Sequence, residues 1–420
     1  MRRPRKKTEL TPADHQNDET TPAQLGYRLP AEWEPHESTW IAWPHQKEDW
    51  PGKFGPIPWV FADIVRHLSH SECVDLIVPS KKKRDEVAEM LLRAGAESGQ
   101  IRFHVWPTDR GWLRDSLPTF VVREGEPDPL ELGLIGNRGA ICWKFNAWAK
   151  YDNHRNDERL PRRVSKAYAI DRIKPVAMFA DETRRVVLEG GAIDCNGQGL
   201  LMTTEECLLS EVQCRNPGLT KQDYNALFAE TLGIRQTIWL GRGIAGDDTH
   251  GHVDDLARFV SKDTVATVVE HNKADENYEP LQENLKRLKA VKYGGKSLNI
   301  VELPMPRPVI FEGQRLPASY ANFYIANKVV LVPTFNDPAD RVALETLAAL
   351  FPGRDVIGIH ALDLVWGLGT IHCLAHEMPA STGIDESDEA RETSEQRPSR
   401  RRRTTQGRSQ TAVESEESPE

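Results

Sequence analysis

Residues 185–240, RVVLEGGAIDCNGQGLLMTTEECLLSEVQCRNPGLTKQDYNALFAETLGIRQTIWL, carry the reading on which the fold turns. Arg185–Asp194 is an apolar, strand-like run. Asn196-Gly197 is a strong hairpin signal, since both residues tolerate the positive φ of a tight turn, and Leu200–Thr203 is the returning strand. Thr220, with Asp223 three residues on, opens a helix that is apolar at Tyr224, Leu227 and Phe228, and Gly233 closes it. Gln236–Leu240 is then a strand. The order is strand, strand, helix, strand.

The same order recurs downstream. His252–Val260 and Thr264–Val269 read as strands, Pro280–Ala290 as a helix, and Leu298–Leu303 as a strand. A third time, Asn322–Ala326 and Val329–Pro333 pair across Asn327-Lys328. Asp337-Pro338 then caps a helix toward Leu350, Pro352-Gly353 ends it, and Val356–Ile359 follows. Upstream, Trp59–Leu68 (helix), Cys73–Val78 (strand), Asp85–Arg93 (helix) and Ile101–Trp106 (strand) fit one or two such units less cleanly. Units of roughly 50 residues that each leave an apolar face uncovered point to radial repetition in an α/β fold. Two stacked α/β domains are the less economical alternative.

The flanks read differently. Residues 1–20 are polar and charged, and from Ser381 to Glu420 there is almost nothing to bury, so both are expected to be disordered around one catalytic domain over 21–380. The Arg400–Arg403 run invites RNA or another polyanion. No aromatic residues accompany it, which favours a solvated tail without nucleic-acid binding.

Hydrophobic residues make up 39% of the chain, charged residues 28%, and the net charge is −9. That balance suits a soluble protein whose acidic surface favours cationic ligands over nucleic acid or anionic membranes. Six cysteines without a CxxC pair indicate neither a disulfide scaffold nor a zinc ribbon. The N-terminus lacks the apolar core of a secretory signal, and no stretch reaches the ~20 apolar residues of a membrane helix. A cytoplasmic location is expected, and a homo-oligomer is compatible with all of this.

Four segments concentrate reactive side chains: Trp112-Leu-Arg-Asp115, Leu188-Glu-Gly-Gly191, Asp247–Asp255 and Gly367–Cys373. At the start of a strand His252 and Asp254 would face one side together, though a polar strand end explains them equally well. Glycines 367 and 369 would let the chain present Cys373 at a pocket rim; a buried structural cysteine is the commoner fate, but His372 and His376 make its surroundings polar. Asp115 lies in a turn, and Glu189 ends an apolar strand where a lone carboxylate is costly to bury. Each alone fits a salt bridge or a solvated loop. Together, one thiol, one imidazole and three carboxylates suit attack on the carbon of a guanidinium, a flat cation that carboxylates hold by paired hydrogen bonds.

At these residues the chain resembles the agmatine deiminase family of the guanidine-modifying (pentein) superfamily. The likeness runs from about Leu29 to Pro379 and includes PAEWEPHESTWIAWP (Pro30–Pro44), SYANFYIAN (Ser319–Asn327) and VPTFNDPAD (Val332–Asp340). The resemblance implies five ββαβ units around a pseudo-fivefold axis. It implies Cys373 as nucleophile, His252 as general acid and base, Glu189 orienting His252, and Asp115 and Asp254 gripping the guanidinium. Trp112 would wall the pocket and Asp248 would face the amine end of the substrate. Agmatine and water would give N-carbamoylputrescine and ammonia through a covalent thiouronium, a step toward putrescine, with no metal and no organic cofactor.

Two departures bear on the substrate. Family members usually have a third glycine where this chain has Leu368, and an amide-rich stretch where it has Ala375-His376-Glu377. Both are expected near the pocket, which keeps peptidyl-arginine or another guanidine in view as substrate. Two other chemistries compete: an amidinotransferase, in which an amine replaces water, and a zinc metallohydrolase using His250, His252 and Asp254, because Thr249–Asp255 nearly spells a T-H-x-H-x-D-H signature.

Overall fold

The unit read from residues 185–240 folds as a three-stranded sheet. Asp194–Cys195 runs antiparallel to Leu200–Thr204, and Gln236–Leu240 lies parallel to Leu200–Thr204 on its other side, with Leu201 opposite Thr237. The structure is a computed structural model that describes residues 14–15, 20–124, 136–179 and 182–381. The crossover between the two parallel strands is the helix Lys221–Leu232. Thr220 Oγ1 accepts from the backbone of Asp223, whose carboxylate accepts from the backbone of Thr220, and Gly233 ends the helix at φ +70°. Tyr224, Leu227, Phe228, Thr231 and Leu232 are its buried residues, the spacing of one helix face.

Two further sheets copy this plan. Ala257–Ser261 pairs antiparallel with Thr264–Val269, which pairs parallel with Asn299–Pro304 beyond the helix Tyr278–Ala290. Tyr324–Ile325, Val329–Thr334 and Asp355–His360 do the same around the helix Ala339–Leu350. The middle strand Thr264–Val269 is buried along its length, as its β-branched run requires when a helix covers one face.

The plan appears twice more where the sequence signalled it weakly. Thr119–Val122 pairs antiparallel with Arg138–Ile141, which pairs parallel with Arg172–Ile173 beyond the helix Leu160–Tyr168. Asp14–His15 adds a short parallel strand beside Arg172–Ile173, so these two residues inside the expected disordered segment 1–20 are in fact paired. The last sheet draws its first strand from the far end of the chain. His376–Pro379 runs antiparallel to His36–Ala42, which is followed by the helix Ile57–Ser69 and the parallel strand Cys73–Val78; Ile101–Val105 extends the sheet. Five sheets among the described residues therefore share one pattern of pairing, an α/β fold.

Two expected strands are interrupted. His252 precedes a 3₁₀ turn over Val253–Asp255 and the strand begins only at Ala257, so strand alternation does not relate His252 to Asp254. Likewise Gly190–Ala192 is a 3₁₀ turn within the expected strand Arg185–Asp194. The cause is crowding: a Cβ on Gly190 would stand 2.2 Å from the carbonyl oxygen of Arg114, an approach only glycine permits.

The described residues before Gly383 belong to one compact unit that ends at Thr382. The segment expected to be a charged tail, with its Arg400–Arg403 run, lies outside the described residues apart from Ser381. Among the described residues no helix is long and apolar enough to cross a membrane.

Candidate active site

The reactive side chains arrive from equivalent places, each in the segment entering the first strand of a sheet. Asp115 sits on the one-turn helix Leu113–Ser116 ahead of Thr119–Val122, and Glu189 just before the turn that leads into Asp194–Cys195. His252 and Asp254 precede Ala257–Ser261, and Cys373, on the one-turn helix Ile371–Leu374, precedes His376–Pro379. Asn322 precedes Tyr324–Ile325.

Asp115 and Cys373 line a cavity of about 290 Å³, with Trp112, Leu368 and Gly369 in its wall. Cys373 Sγ lies 3.7 Å from Asp254 Oδ2, and Asn322 Nδ2 donates to the sulfur at 3.2 Å. Asp254 Oδ1 is 3.9 Å from His252 Nδ1, and Asp115 Oδ1 is 3.9 Å from that same nitrogen. A single carboxylate thus spans the distance between thiol and imidazole. The other edge of the ring, Nε2, faces Glu189 Oε2 at 3.8 Å.

Close packing fixes these positions. A Cβ on Gly191 would meet His252 Nδ1 at 2.5 Å, Asp115 Oδ1 at 3.0 Å and Asp254 Oδ2 at 3.1 Å, so this glycine is the floor on which three of the groups converge. Asp115 is held through both oxygens, by the Gly191 N–H at 2.9 Å and by Trp148 Nε1 at 2.8 Å. Trp148 reaches it from a left-handed turn in which Ala147, Trp148 and Ala149 have φ of +51°, +58° and +54°. Such a conformation costs L-residues about 1–2 kcal/mol each; the Asn146 side chain accepts the Ala149 N–H and helps hold it.

Beneath Asp254 a charged network extends inward. The two ring nitrogens of His372 lie 2.7 Å from Asp254 Oδ2 and 2.8 Å from Glu32 Oε2. Glu32 also takes Arg258 Nη2 at 2.7 Å, and Arg258 Nε donates to Asp194 at 2.6 Å. Glu189 is paired with Arg215 Nε at 3.1 Å. A buried carboxylate is costly without such partners, which is why each anion of the site has a fixed cation or donor.

The electrostatic balance follows. Burial pushes the Cys373 thiol well above its usual range, and Asp254, Asp255 and Asp115 push it further. Burial would lower His252, but the charge of Asp115 and the adjoining Cys207 and Glu189 outweigh it and hold the imidazole well above its ordinary value. Burial alone would raise Glu189; the Arg215 and His252 charges prevail and bring it down to about 2. At neutral pH these directions give a protonated thiol in the cavity wall, with a cationic imidazole and an ionised Glu189 in the same buried cluster. Four buried atoms here, His252 Nδ1 and Nε2, Asp254 Oδ1 and Glu189 Oε2, have no hydrogen-bond partner among the described residues. Buried polar atoms are nearly always paired, so their convergence marks a place prepared for a ligand.

The structure brings Cys373, His252, Glu189, Asp115 and Asp254 together, and Trp112 walls the cavity as expected. Asp248 also lines it, but its carboxylate is occupied by Lys150 and by Tyr151 Oη at 2.8 Å. Leu368 lines the cavity, at φ +68°. His376 does not; it is buried against the carbonyls of Arg114 and Pro118, and burial followed by the Arg114 charge lowers it to about 4. The ligand set His250, His252 and Asp254 does not form, because His250 Nε2 lies 3.0 Å from Ser210 Oγ. The group of His, Cys, Asp and Glu donors that does converge among the described residues is Glu189, Cys207 and His252.

Asn322, Glu32, Trp148 and Arg215 were not singled out from the sequence as parts of the site, and His372 was read only as making the surroundings of Cys373 polar. Glu32 and Asn322 lie within the family-like stretches Pro30–Pro44 and Ser319–Asn327, so the signal for them was present. Trp148 and Arg215 depend on a left-handed turn and a long-range ion pair that leave no mark on local pattern.

Known proteins give an independent comparison. The chain is 31% identical over 385 residues to the agmatine deiminase of Stutzerimonas stutzeri, covering 86% of this chain and 98% of that protein. The solved agmatine deiminase of Enterococcus faecalis superposes with a TM-score of 0.75 at 28% identity, over 86% of this chain and 98% of that one. The agmatine deiminase of C. jejuni does so with a TM-score of 0.68 at 27% identity, over 84% and 96%. The model of the Porphyromonas-type peptidyl-arginine deiminases matches residues 28–379, which include every residue of the cavity-centred cluster. With that span and that site in common, the chain belongs to the Porphyromonas-type peptidyl-arginine deiminase family.

Proposed function

We propose that the chain hydrolyses the guanidinium group of agmatine to N-carbamoylputrescine and ammonia, with Cys373 as nucleophile. The observation that carries this is the Asp254 carboxylate set between the Cys373 sulfur and the His252 ring, beside a cavity that Asp115 also enters. Relatives across most of the chain bear the name agmatine deiminase, which supports agmatine as the substrate.

The substrate is a cation entering a site rich in acids. Asp115 and Asp254 accept its N–H groups and lay the guanidinium flat against Trp112. Its charge offsets the carboxylates that suppress ionisation of Cys373, so the thiol gives up its proton to solvent as the substrate binds and the thiolate forms in the complex, where it is needed. Sγ attacks the guanidinium carbon and gives a tetrahedral adduct. His252, held protonated, transfers its proton to one amino nitrogen, which leaves as ammonia while an S-alkylthiouronium remains. The neutral imidazole takes a proton from water, the hydroxide attacks the same carbon, and collapse of the second adduct releases the ureido product and the thiolate. Glu189 orients the ring and stabilises its cationic form. Chain residues supply every step, and neither a metal nor an organic cofactor takes part in this reading.

In this reading residues 21–380 form a single catalytic domain of the pentein type, the five like-paired sheets standing as five units about a pseudo-fivefold axis, in a cytoplasmic enzyme. The equivalent placement of the site residues supports that arrangement, because segments entering five symmetry-related strands reach a common centre.

The test is to incubate the protein with agmatine, free arginine and an arginine peptide, and to measure ammonia and ureido product. Agmatine is expected to react fastest, and Cys373→Ser to abolish turnover. Normal turnover by that variant removes the mechanism. A faster reaction with the peptide reassigns the substrate, and amidino transfer to an added amine identifies a transferase.

A further inference from the structure

The edge of His252 turned toward Glu189 is one side of a buried cluster that includes a third donor, the thiol of Cys207. Donor atoms of Glu189, Cys207 and His252 all lie within 4.8 Å of one another, and all three residues are buried. We propose that these three residues form a binding site for a thiophilic divalent cation such as Zn²⁺, distinct from the substrate cavity, and that its occupation halts deimination.

Thiolate, imidazole and carboxylate are the ligands zinc prefers, and three protein ligands leave a fourth tetrahedral position for water. Bond lengths near 2.0–2.3 Å set ligand atoms roughly 3.3–3.7 Å apart across a tetrahedron, so donors within 4.8 Å need to close by about an ångström. Glu189 Oε2 and His252 Nε2, already 3.8 Å apart, need less.

The neighbouring cation does not block the site. Arg215 takes Glu189 Oε1 through its Nε, while its Nη1 and Nη2 donate to the carbonyls of Gln213 and Thr249. Its donors are committed elsewhere, and Glu189 Oε2 is left without a hydrogen-bond partner among the described residues, as are both ring nitrogens of His252. Cys207 is fixed from its backbone, whose N–H donates to Thr204 Oγ1 at 3.0 Å in the first turn of the helix Glu205–Leu209. On binding, the cation displaces the thiol proton and any proton on the coordinating ring nitrogen to solvent. A ring bound to metal through that edge no longer cycles a proton. Binding stands on the donor geometry alone; the inhibition rests on the role proposed above for His252.

The full-length protein is titrated with Co²⁺, whose thiolate complexes absorb strongly in the near ultraviolet. One equivalent is expected to produce that band and Zn²⁺ to displace it; the band is lost in Cys207→Ser and kept in Cys373→Ser. Zn²⁺ is expected to stop turnover of agmatine by the unaltered enzyme, reversed by a chelator. Measured against its own metal-free rate, Cys207→Ser needs at least tenfold more Zn²⁺ for the same fractional inhibition. Cys207→Ala serves as the second variant should serine not fold in so buried a place, with circular dichroism as the check. A band that vanishes in Cys373→Ser and survives in both Cys207 variants places the metal on the nucleophile and overturns the proposal, as does the absence of any band from active enzyme. The cobalt signal needs no turnover, so failure of the deiminase reading is recognised separately.

Discussion

A thiol surrounded by acids is poorly ionised, and Cys373, the proposed nucleophile, is such a case. Burial raises its thiol first, and Asp254, whose Oδ2 is 3.7 Å from the sulfur, is the largest charge acting in the same direction. The sign of a mutational effect follows. Replacing Asp254 by Asn removes the largest opposing charge, lowers the thiol's pKa and leaves more thiolate at any given pH. Alkylation of Cys373 by a neutral reagent such as iodoacetamide is therefore expected to quicken several-fold in Asp254→Asn at pH 8, read by mass spectrometry, while deimination of agmatine falls by a hundredfold or more because the guanidinium loses one of its two anchors. Slower labelling in the variant contradicts the assignment of Asp254 as the dominant field on the sulfur. In the unaltered enzyme the same logic makes a small cationic amidinium alkylator faster than a neutral one of equal intrinsic reactivity, since the reagent brings its own compensating charge.

Helices and hairpins were largely legible in the sequence; the short turns that build the site were not. The helix Lys221–Leu232 could be read to its ends because its cap and its closing glycine are local chemistry, and Cys73–Val78 and Gln236–Leu240 because they are short runs rich in β-branched and other apolar residues. Thr119–Val122, Arg138–Ile141 and Arg172–Ile173 form a sheet only two or four residues deep, and its last two members carry no strong periodicity. At Gly190–Ala192 and Val253–Asp255 a continuous strand was expected but the chain breaks into 3₁₀ turns, because contacts with distant segments decide the backbone there. The side chains that converge at the cavity were legible by type and motif, while the groups that hold them, Trp148 and Arg215 above all, needed three dimensions. The turn at Gly190–Ala192 also yields a sharp test. Gly191→Ala puts a methyl group 2.5 Å from His252 Nδ1, and that ring must move. A displacement of about 1 Å at a reacting group costs on the order of a hundredfold in rate. The variant is expected to keep a native circular dichroism spectrum and lose that much kcat, and near-normal turnover contradicts the close approach of Gly191 to the ring.

Across the whole fold, the sheet built on His36–Ala42 is completed by a strand more than 300 residues later. His376–Pro379 runs antiparallel to His36–Ala42, with Trp40 opposite His376, and Arg138 holds the same place by donating to the Pro379 carbonyl at 2.6 Å and to Glu37 at 2.8 Å. Met378 and His376 are buried there. Cys373 lies in the segment that enters this closing strand, so the proposed nucleophile is held in place by a pairing between an early and a late strand of the fold. Removing the strand exposes the edge of His36–Ala42, takes buried apolar surface from the core and frees the helix that carries Cys373. A chain cut after Leu374 is accordingly expected to be inactive and aggregation-prone. One cut after Thr382 keeps the closing strand and the residues of the cavity cluster, and is expected to match the full chain in kcat/KM for agmatine and to melt within about 2 °C of it, since the sequence beyond it has almost no apolar residues to bury. Activity and thermal melting of the two truncated chains, measured side by side, separate the closing strand from the charged residues beyond it; a large loss in the longer of the two assigns those residues a part in the enzyme that the fold up to Thr382 does not require.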